Sequence, residues 1–284
     1  MRNAIRIPLL LVVLIVGLGI LFYPDISNWH NSRVHAELIT NFNEEIAQMR
    51  TEHIQEHWQR AQVFNEELFE RLADLTVRGQ FQGDGAIMPF DEYMDILNVG
   101  GVMALVEIPA INVRLPVFHS TSHEVLMRGI GHLEDSSLPI GGSSTHAVLT
   151  AHTGLATHRL FSDLEEIEIG QLFFIRVLGE TLAYEVDQLS VVLPHEIDDI
   201  RIVQGADHVT LITCTPYAVN SHRLLVRGLR IPYEPGMEEE IESILPEEPI
   251  LMDLRIKIIA GILCLFLIVL IIGKIVRKAK DTRE

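Results

Sequence analysis

The chain has 284 residues, enough for one ordinary core with accessory segments, and carries a formal net charge of −17. Between residues 24 and 250 about 13 basic side chains stand against about 36 acidic ones, which excludes a nucleic-acid-binding surface, since that rewards clustered Lys and Arg. There are only two cysteines, Cys214 in a polar stretch and Cys264 in a long apolar one, so the pattern excludes a disulfide framework and leaves Cys214 as a free thiol.

In chain order, Arg2 and Arg6 precede an apolar run over 7–23, interrupted only by Pro8, Gly17 and Gly19. At a rise of ~1.5 Å per residue it is just long enough to cross a bilayer. No small-x-small cleavage site precedes Tyr23-Pro24-Asp25, so a retained anchor is expected rather than a removed signal peptide. A second apolar block spans 258–272, flanked by Lys257 and Lys274, with Arg277, Lys278, Lys280 and Arg283 beyond. Basic residues at both ends place both termini in the cytoplasm and the segment between them outside. The expected division is an anchor over 1–24, an exterior helical segment over 25–101, a further domain over 102–233, an acidic linker over 234–255, and a second membrane helix with a basic tail over 256–284.

Residues 35–75 lack Pro and Gly and space Ile46, Met49, Ile54 and Trp58 helically, which predicts one or two amphipathic helices. The Gly-rich stretch 79–89 predicts a loop. From residue 102 the pattern changes to short apolar or alternating runs at 102–108, 113–118, 147–151, 172–178, 182–193, 208–214 and 224–231, separated by Gly, Pro and Asp clusters. Such runs predict an all-β barrel or sandwich, with a short helix inserted over 157–166.

Three side chains within this β region invite chemistry. Cys214 closes the run Val209-Thr210-Leu211-Ile212-Thr213. A thiol at a strand end is held by the sheet yet open to substrate, but becomes a nucleophile only beside a base or cation; from spacing alone a packed small residue is the commoner reading. His152 ends another run and meets Cys214 only through the fold. Arg223 begins the strand after Cys214, and an eight-residue connection lets the two strands pair antiparallel with both residues at one rim. A guanidinium there suits a developing oxyanion, although in so acidic a chain a surface ion pair is the commoner reading. Arg227, four residues on, shares that face and is the rival.

The stretch Thr210-Leu-Ile-Thr-Cys214-Thr-Pro-Tyr-Ala-Val-Asn-Ser-His-Arg223-Leu-Leu-Val-Arg-Gly228 closely resembles the active-site segment of class C, pilus-assembling sortases. So do Thr150-Ala-His152-Thr-Gly154 through Leu164, and Val106-Glu-Ile-Pro-Ala-Ile-Asn-Val continuing through Gly131-His132 to Pro139. The resemblance implies an eight-stranded sortase β-barrel as the catalytic domain over 102–233, with Cys214 as nucleophile, His152 as acid/base and Arg223 as stabiliser of substrate and oxyanion. It implies no cofactor and no metal. His132 and His222 do not match the catalytic histidine; His132 is read as structural and His222 as a neighbour shaping the site. The implied reaction cuts a Leu-Pro-x-Thr-Gly-like sorting signal after Thr through a thioester and passes the acyl group to a pilin lysine. The implied partners are surface or pilin proteins bearing that signal, an acceptor pilin and the membrane. A housekeeping cell-wall-anchoring sortase, a cysteine peptidase and a non-catalytic scaffold are the alternatives.

Sortases of this class carry a lid with an Asp-Pro-aromatic tip, and the resemblance adds such a lid to the exterior segment over 25–101. Here the comparable residues are Met88, Pro89 and Phe90, with Met where Asp is usual, so a more weakly latched lid is expected, Asp91 being the candidate substitute against Arg223. The pattern His53-Ile-Gln-Glu56-His57 matches a zinc-peptidase motif, but three fixed residues without an evident third ligand make a weak case. The chain's lysines are Lys257, Lys274, Lys278 and Lys280, leaving the exterior segment without a primary amine on any side chain.

Overall fold

The computed structural model describes residues 2–78, 89–155 and 157–237, together with residues 258, 261, 262 and 273. The chain divides into two compact units, residues 1–30 with 246–284, and residues 31–245. The predicted loop over 79–88, the linker over 238–255, the basic tail and most of the second apolar block lie outside the described residues.

Helix α1 (Arg2–Gln48) continues through Pro24. In the first unit Val12, Val13, Ile15, Val16, Ile20, Leu21, Ile26 and Trp29 are all more than half exposed. Gly261 meets Phe22 there, where an added Cβ would lie 3.3 Å from the ring. Among the described residues no helix is long and apolar enough to cross a membrane.

In the second unit, Met49 N bonds Ile46 O, tightening the last turn of α1, and Arg50 O accepts from His53 and Ile54 N to start α2 (Thr51–Arg78). Helix α2 buries Ala61, Phe64 and Leu68. Asn65 fixes its docking, accepting from Leu138 N at 2.7 Å and donating to Leu138 O at 3.1 Å. A short helix that the sequence did not announce, α3 (Phe90–Asp95), starts behind Pro89 and carries Asp91 and Glu92 in its first turn, where carboxylates favour the helix dipole.

Eight strands follow: β1 (Ala104–Ile108), β2 (Val113–His119), β3 (Ile130–His132), β4 (Thr145–Thr150), β5 (Leu172–Val177), β6 (Glu180–Val192), β7 (Asp207–Thr215) and β8 (His222–Ile231). They close into a barrel in the order β1-β2-β3-β4-β7-β8-β6-β5, β1 pairing β5 to complete the ring and remove the free edges. Two of the pairings, β2–β3 and β4–β7, are parallel. Helix α4 (His123–Leu126), capped by Ser122, fills the crossover from β2 to β3. The interior is close-packed: Phe173 and Tyr184 stack at 5.5 Å, and a Cβ on Gly228 would lie 2.4 Å from the Phe173 ring, so no larger residue fits that strand position.

The helix expected over 157–166 is not formed. Leu160 adopts a positive φ of 41°, and the segment is held by i to i+3 bonds, Ser162 N to Arg159 O, Leu164 N to Phe161 O and Glu166 N to Asp163 O, leaving only a 3₁₀ turn at Leu164–Glu166.

Candidate active site

The site is built from the register of four neighbouring strands. Antiparallel pairing of β7 with β8 sets Cys214 opposite Arg223, and β6 brings Val192 opposite the same arginine. On the other flank of β7, parallel pairing with β4 runs to Thr150 beside Ile212. It is carried further by Ala151 N to Ile212 O at 3.1 Å and by Thr213 Oγ1 donating to Ala151 O at 2.9 Å. His152 is the next residue. One row at one rim therefore reads Val192, Arg223, Cys214, His152. Residues directly opposite across strands share a face, and alternation along β7 sends the buried Thr213 and Leu211 inward, so Cys214 lies on the outer face of the sheet.

The three residues are partly exposed, and their polar atoms are largely uncommitted. Cys214 is a free thiol. Among the described residues the His152 imidazole has no hydrogen-bond partner; its ring meets that of His123 edge to face, with centroids 6.3 Å apart. Burial holds His152 below the ordinary histidine value of 6.5, and His123 lowers it further. Arg223 Nη1 donates to the carbonyls of His222 at 3.0 Å and Asn220 at 3.3 Å, and among the described residues no carboxylate pairs with it. The rival is differently placed. Arg227 is held bidentate by Asp187, Nε to Oδ1 at 3.0 Å and Nη2 to Oδ2 at 2.7 Å, so its fork is already filled. The ion-pair reading fits Arg227, while Arg223 keeps donors for a ligand.

The surroundings fix this rim. Thr215 Oγ1 donates to Glu165, tying the strand end beside Cys214 to the segment that follows His152. Phe161 N bonds His152 O at 3.2 Å, and Gly154 N bonds Ser162 Oγ at 3.1 Å. Gly154 has φ of 72°, and Tyr217 lies against it so closely that an added Cβ would sit 3.2 Å from the ring. Below the rim the outer face is covered by the connection between β6 and β7. His146 donates from Nδ1 to Arg201 O there at 2.9 Å, and its Nε2 accepts from Thr210 Oγ1 at 2.7 Å.

Of the other sequence candidates, His222 stays beside Arg223 at this rim, and His132, His53 and His57 are placed elsewhere. His132 is fully buried, donating from Nε2 to Ser137 O at 2.9 Å and accepting at Nδ1 from Tyr93 OH at 2.9 Å. His222 lies opposite Thr215, its Nδ1 2.9 Å from Ser221 Oγ. His53 receives a bond from Arg50 Nη2 at 2.6 Å, and His57 Nδ1 accepts from Leu97 N at 3.3 Å. Met88 lies outside the described residues. Pro89 is exposed, and Phe90 is 53% exposed with its ring 6.2 Å from that of Tyr93. The expected latch between Asp91 and Arg223 is absent among the described residues: Asp91 is exposed and makes no ion pair, because the first turn of α3 turns it to solvent. The sequence reading missed His123, Glu165 and Asp187. Ser122 ahead of His123 is a visible helix cap, but its approach to His152 depends on the parallel β2–β3 crossover.

Comparison with known proteins agrees with this geometry. The sortase domain family matches residues 106–231. Sortase C1 of Streptococcus agalactiae is 42% identical, covering 70% of this chain and 97% of that one with a TM-score of 0.62. The chain belongs to the sortase family, in its class C. Sortase C of Streptococcus pneumoniae is 43% identical over 69% of this chain and 97% of its own, with a TM-score of 0.60. Sortase A of Streptococcus agalactiae is 28% identical over 120 residues. The matches span 47% to 65% of the length of the curated relatives, a sortase D of Bacillus subtilis being the 65% case. Sortases are cysteine transpeptidases, and the eight-stranded closed barrel is their fold.

Proposed function

We propose that this sortase polymerises pilins on the outer face of a bacterial membrane. Cys214 is the nucleophile, His152 the acid and base, and Arg223 the oxyanion stabiliser. The observation that carries the reading is the single row in which an uncommitted arginine stands opposite the free thiol while the neighbouring Arg227 is consumed by Asp187.

The chemistry follows from those positions. Cys214 Sγ attacks the Thr carbonyl carbon of a Leu-Pro-x-Thr-Gly-like signal, and the carbonyl electrons move onto oxygen, where Arg223 supplies N–H donors. As the tetrahedral intermediate collapses the C–N bond to Gly breaks, and His152 delivers a proton to the departing amine. A thioester remains. A pilin lysine, deprotonated with the help of His152, attacks it; the C–S bond breaks, an isopeptide forms and the thiolate returns.

The exposed apolar band of α1 and the basic ends of the chain support two-pass anchoring with cytoplasmic termini, and a lid over 79–90 is part of the same reading. The lysine-free exterior supports an amine acceptor, because an enzyme without its own primary amines in that segment does not acylate itself there.

The test incubates the purified full chain with a sorting-signal peptide and a lysine-bearing pilin domain, and reads products by mass spectrometry. A peptide–lysine amide that vanishes in Cys214→Ala is the expected result. Hydrolysed peptide alone would point to the peptidase reading, and transfer to a peptidoglycan-type amine in preference to lysine to the housekeeping one.

A further inference from the structure

His123 is exposed and belongs to a four-residue helix, yet the fold delivers it to the active rim. Strand β3 pairs antiparallel with β4, Gly131 opposite Thr150, so the chain entering β3 lies beside the end of β4 that carries His152. The result is two imidazoles with centroids 6.3 Å apart and planes at 64°. The other titratable groups of this rim are Cys214 on β7, His222 and Arg223 on β8, Tyr217 on the connection between them, Glu124 on α4, and His158, Arg159, Asp163 and Glu165 on the segment after β4. Arg159 is paired with Asp163 at 2.8 Å, and Glu165 is bound by Thr215. Asp163 and Glu165 therefore have partners, Glu124 is exposed on α4, and His123 is the group whose ring meets that of His152.

We propose that His123 is a positioning residue that sets the acidity of His152, by abutting its ring edge to face and by adding a second protonatable imidazole to the same rim. This rests on His152 being the acid and base of the reaction. Positive charge beside the His152 ring disfavours a proton on it. The direction of that effect agrees with the lowering of His152 by His123. Its consequence is a trade. His152 with His123 beside it is a stronger acid toward the departing amine, while fewer molecules hold the imidazolium at rest.

The test titrates His152 in the full chain, reconstituted in lipid nanodiscs with histidine-selective isotope labels, by NMR; its resonance is assigned by comparison with His152→Gln. At this separation and in a partly solvated setting, His123→Gln raises the midpoint of His152 by about half a pH unit or more, and His123→Glu raises it further. The pH profile of transfer, measured on the same variants, moves its His152 limb in the same order. Coincident midpoints in wild type, His123→Gln and His123→Glu, with melting temperatures unchanged, would overturn the proposal. Undiminished transfer by His152→Gln would instead sink the assignment of the acid and base, so the two failures are separate.

Discussion

The two ends of the paired strands β7 and β8 treat their polar groups in opposite ways. At the start of β7, Asp207 accepts from Gly142 N at 2.8 Å and Tyr184 OH at 3.0 Å, takes a longer bond from Thr145 at 3.4 Å, and stands 3.9 Å from Arg230. At the other end, seven residues on along β7, Cys214, with Arg223 and His152 beside it, is left without side-chain partners of that kind among the described residues. Burial demands satisfaction at the first end, since an unmade bond to a buried charge is costly. The second end keeps its donors and its thiol for a molecule that arrives from outside. A single pair of strands thus holds both a structural clasp and a binding site, and the difference lies in which groups the protein has already used.

The largest effect comes from emptying the active rim. Cys214→Ala removes all product, and Arg223→Ala lowers kcat/KM ~10²–10³-fold, with Arg223→Lys in between because a point charge replaces the fork. Steady-state kinetics beside a melting curve decide it; a stability loss in Arg223→Ala equal to that of a core mutant would break the contrast between the two ends.

The next effect is on the fold. His132 and His146 are buried and held down from 6.5 to about 4. The unfolded chain takes up these protons near pH 6.5 while the folded one refuses them. The stability they reflect is therefore present above pH 6.5 and lost as pH falls toward 4, on the order of 3 kcal/mol for each group at full extent. Urea unfolding at stepped pH shows a declining midpoint over that window, and His146→Gln shows a shallower decline; identical slopes would remove this account.

A smaller effect adds an amine to a stretch, residues 24–250, that has no lysine. Tyr217 is 61% exposed and three residues from Cys214, so Tyr217→Lys places an acceptor beside the thioester. A branched tryptic peptide at position 217, in a minor fraction of the chain, is the expected product, absent from wild type. The smallest effect is that of Arg227→Ala, which opens a partly exposed pair with Asp187 and costs about 1 kcal/mol or less of stability. Its transfer chemistry stays near wild type; a loss matching Arg223→Ala would reverse the assignment of the two arginines.

Much of the barrel is legible in short runs such as Val209-Thr210-Leu211-Ile212, because β-branched residues bounded by turn residues announce strands. Strand β3 is not, since Ile130-Gly131-His132 is only three residues long and owes its place to parallel pairing with β2. The 157–166 helix was expected from composition, whereas tertiary contacts hold that segment in turns against His152 and Thr215. The pairing of Cys214 with Arg223 is local in sequence and could be read as strand, connection, strand. His152 could not be placed that way, and only its family-like surroundings pointed to it. The substitute latch at Asp91 failed because a helix start at Pro89 governs where that carboxylate points.

The parallel pairing of β4 with β7 also bears on when the enzyme comes into being. Its residues are separated by 62 positions in the chain, with β5, β6 and the covering connection between them. Closing so large a loop is entropically expensive and belongs to the slow, non-local part of assembly. A chain still being synthesised, with β8 unmade, has a thiol but neither Arg223 opposite it nor a closed barrel to hold His152 beside it. The last strand to be synthesised, β8, is thus the one that both closes the ring and sets Arg223 opposite the thiol.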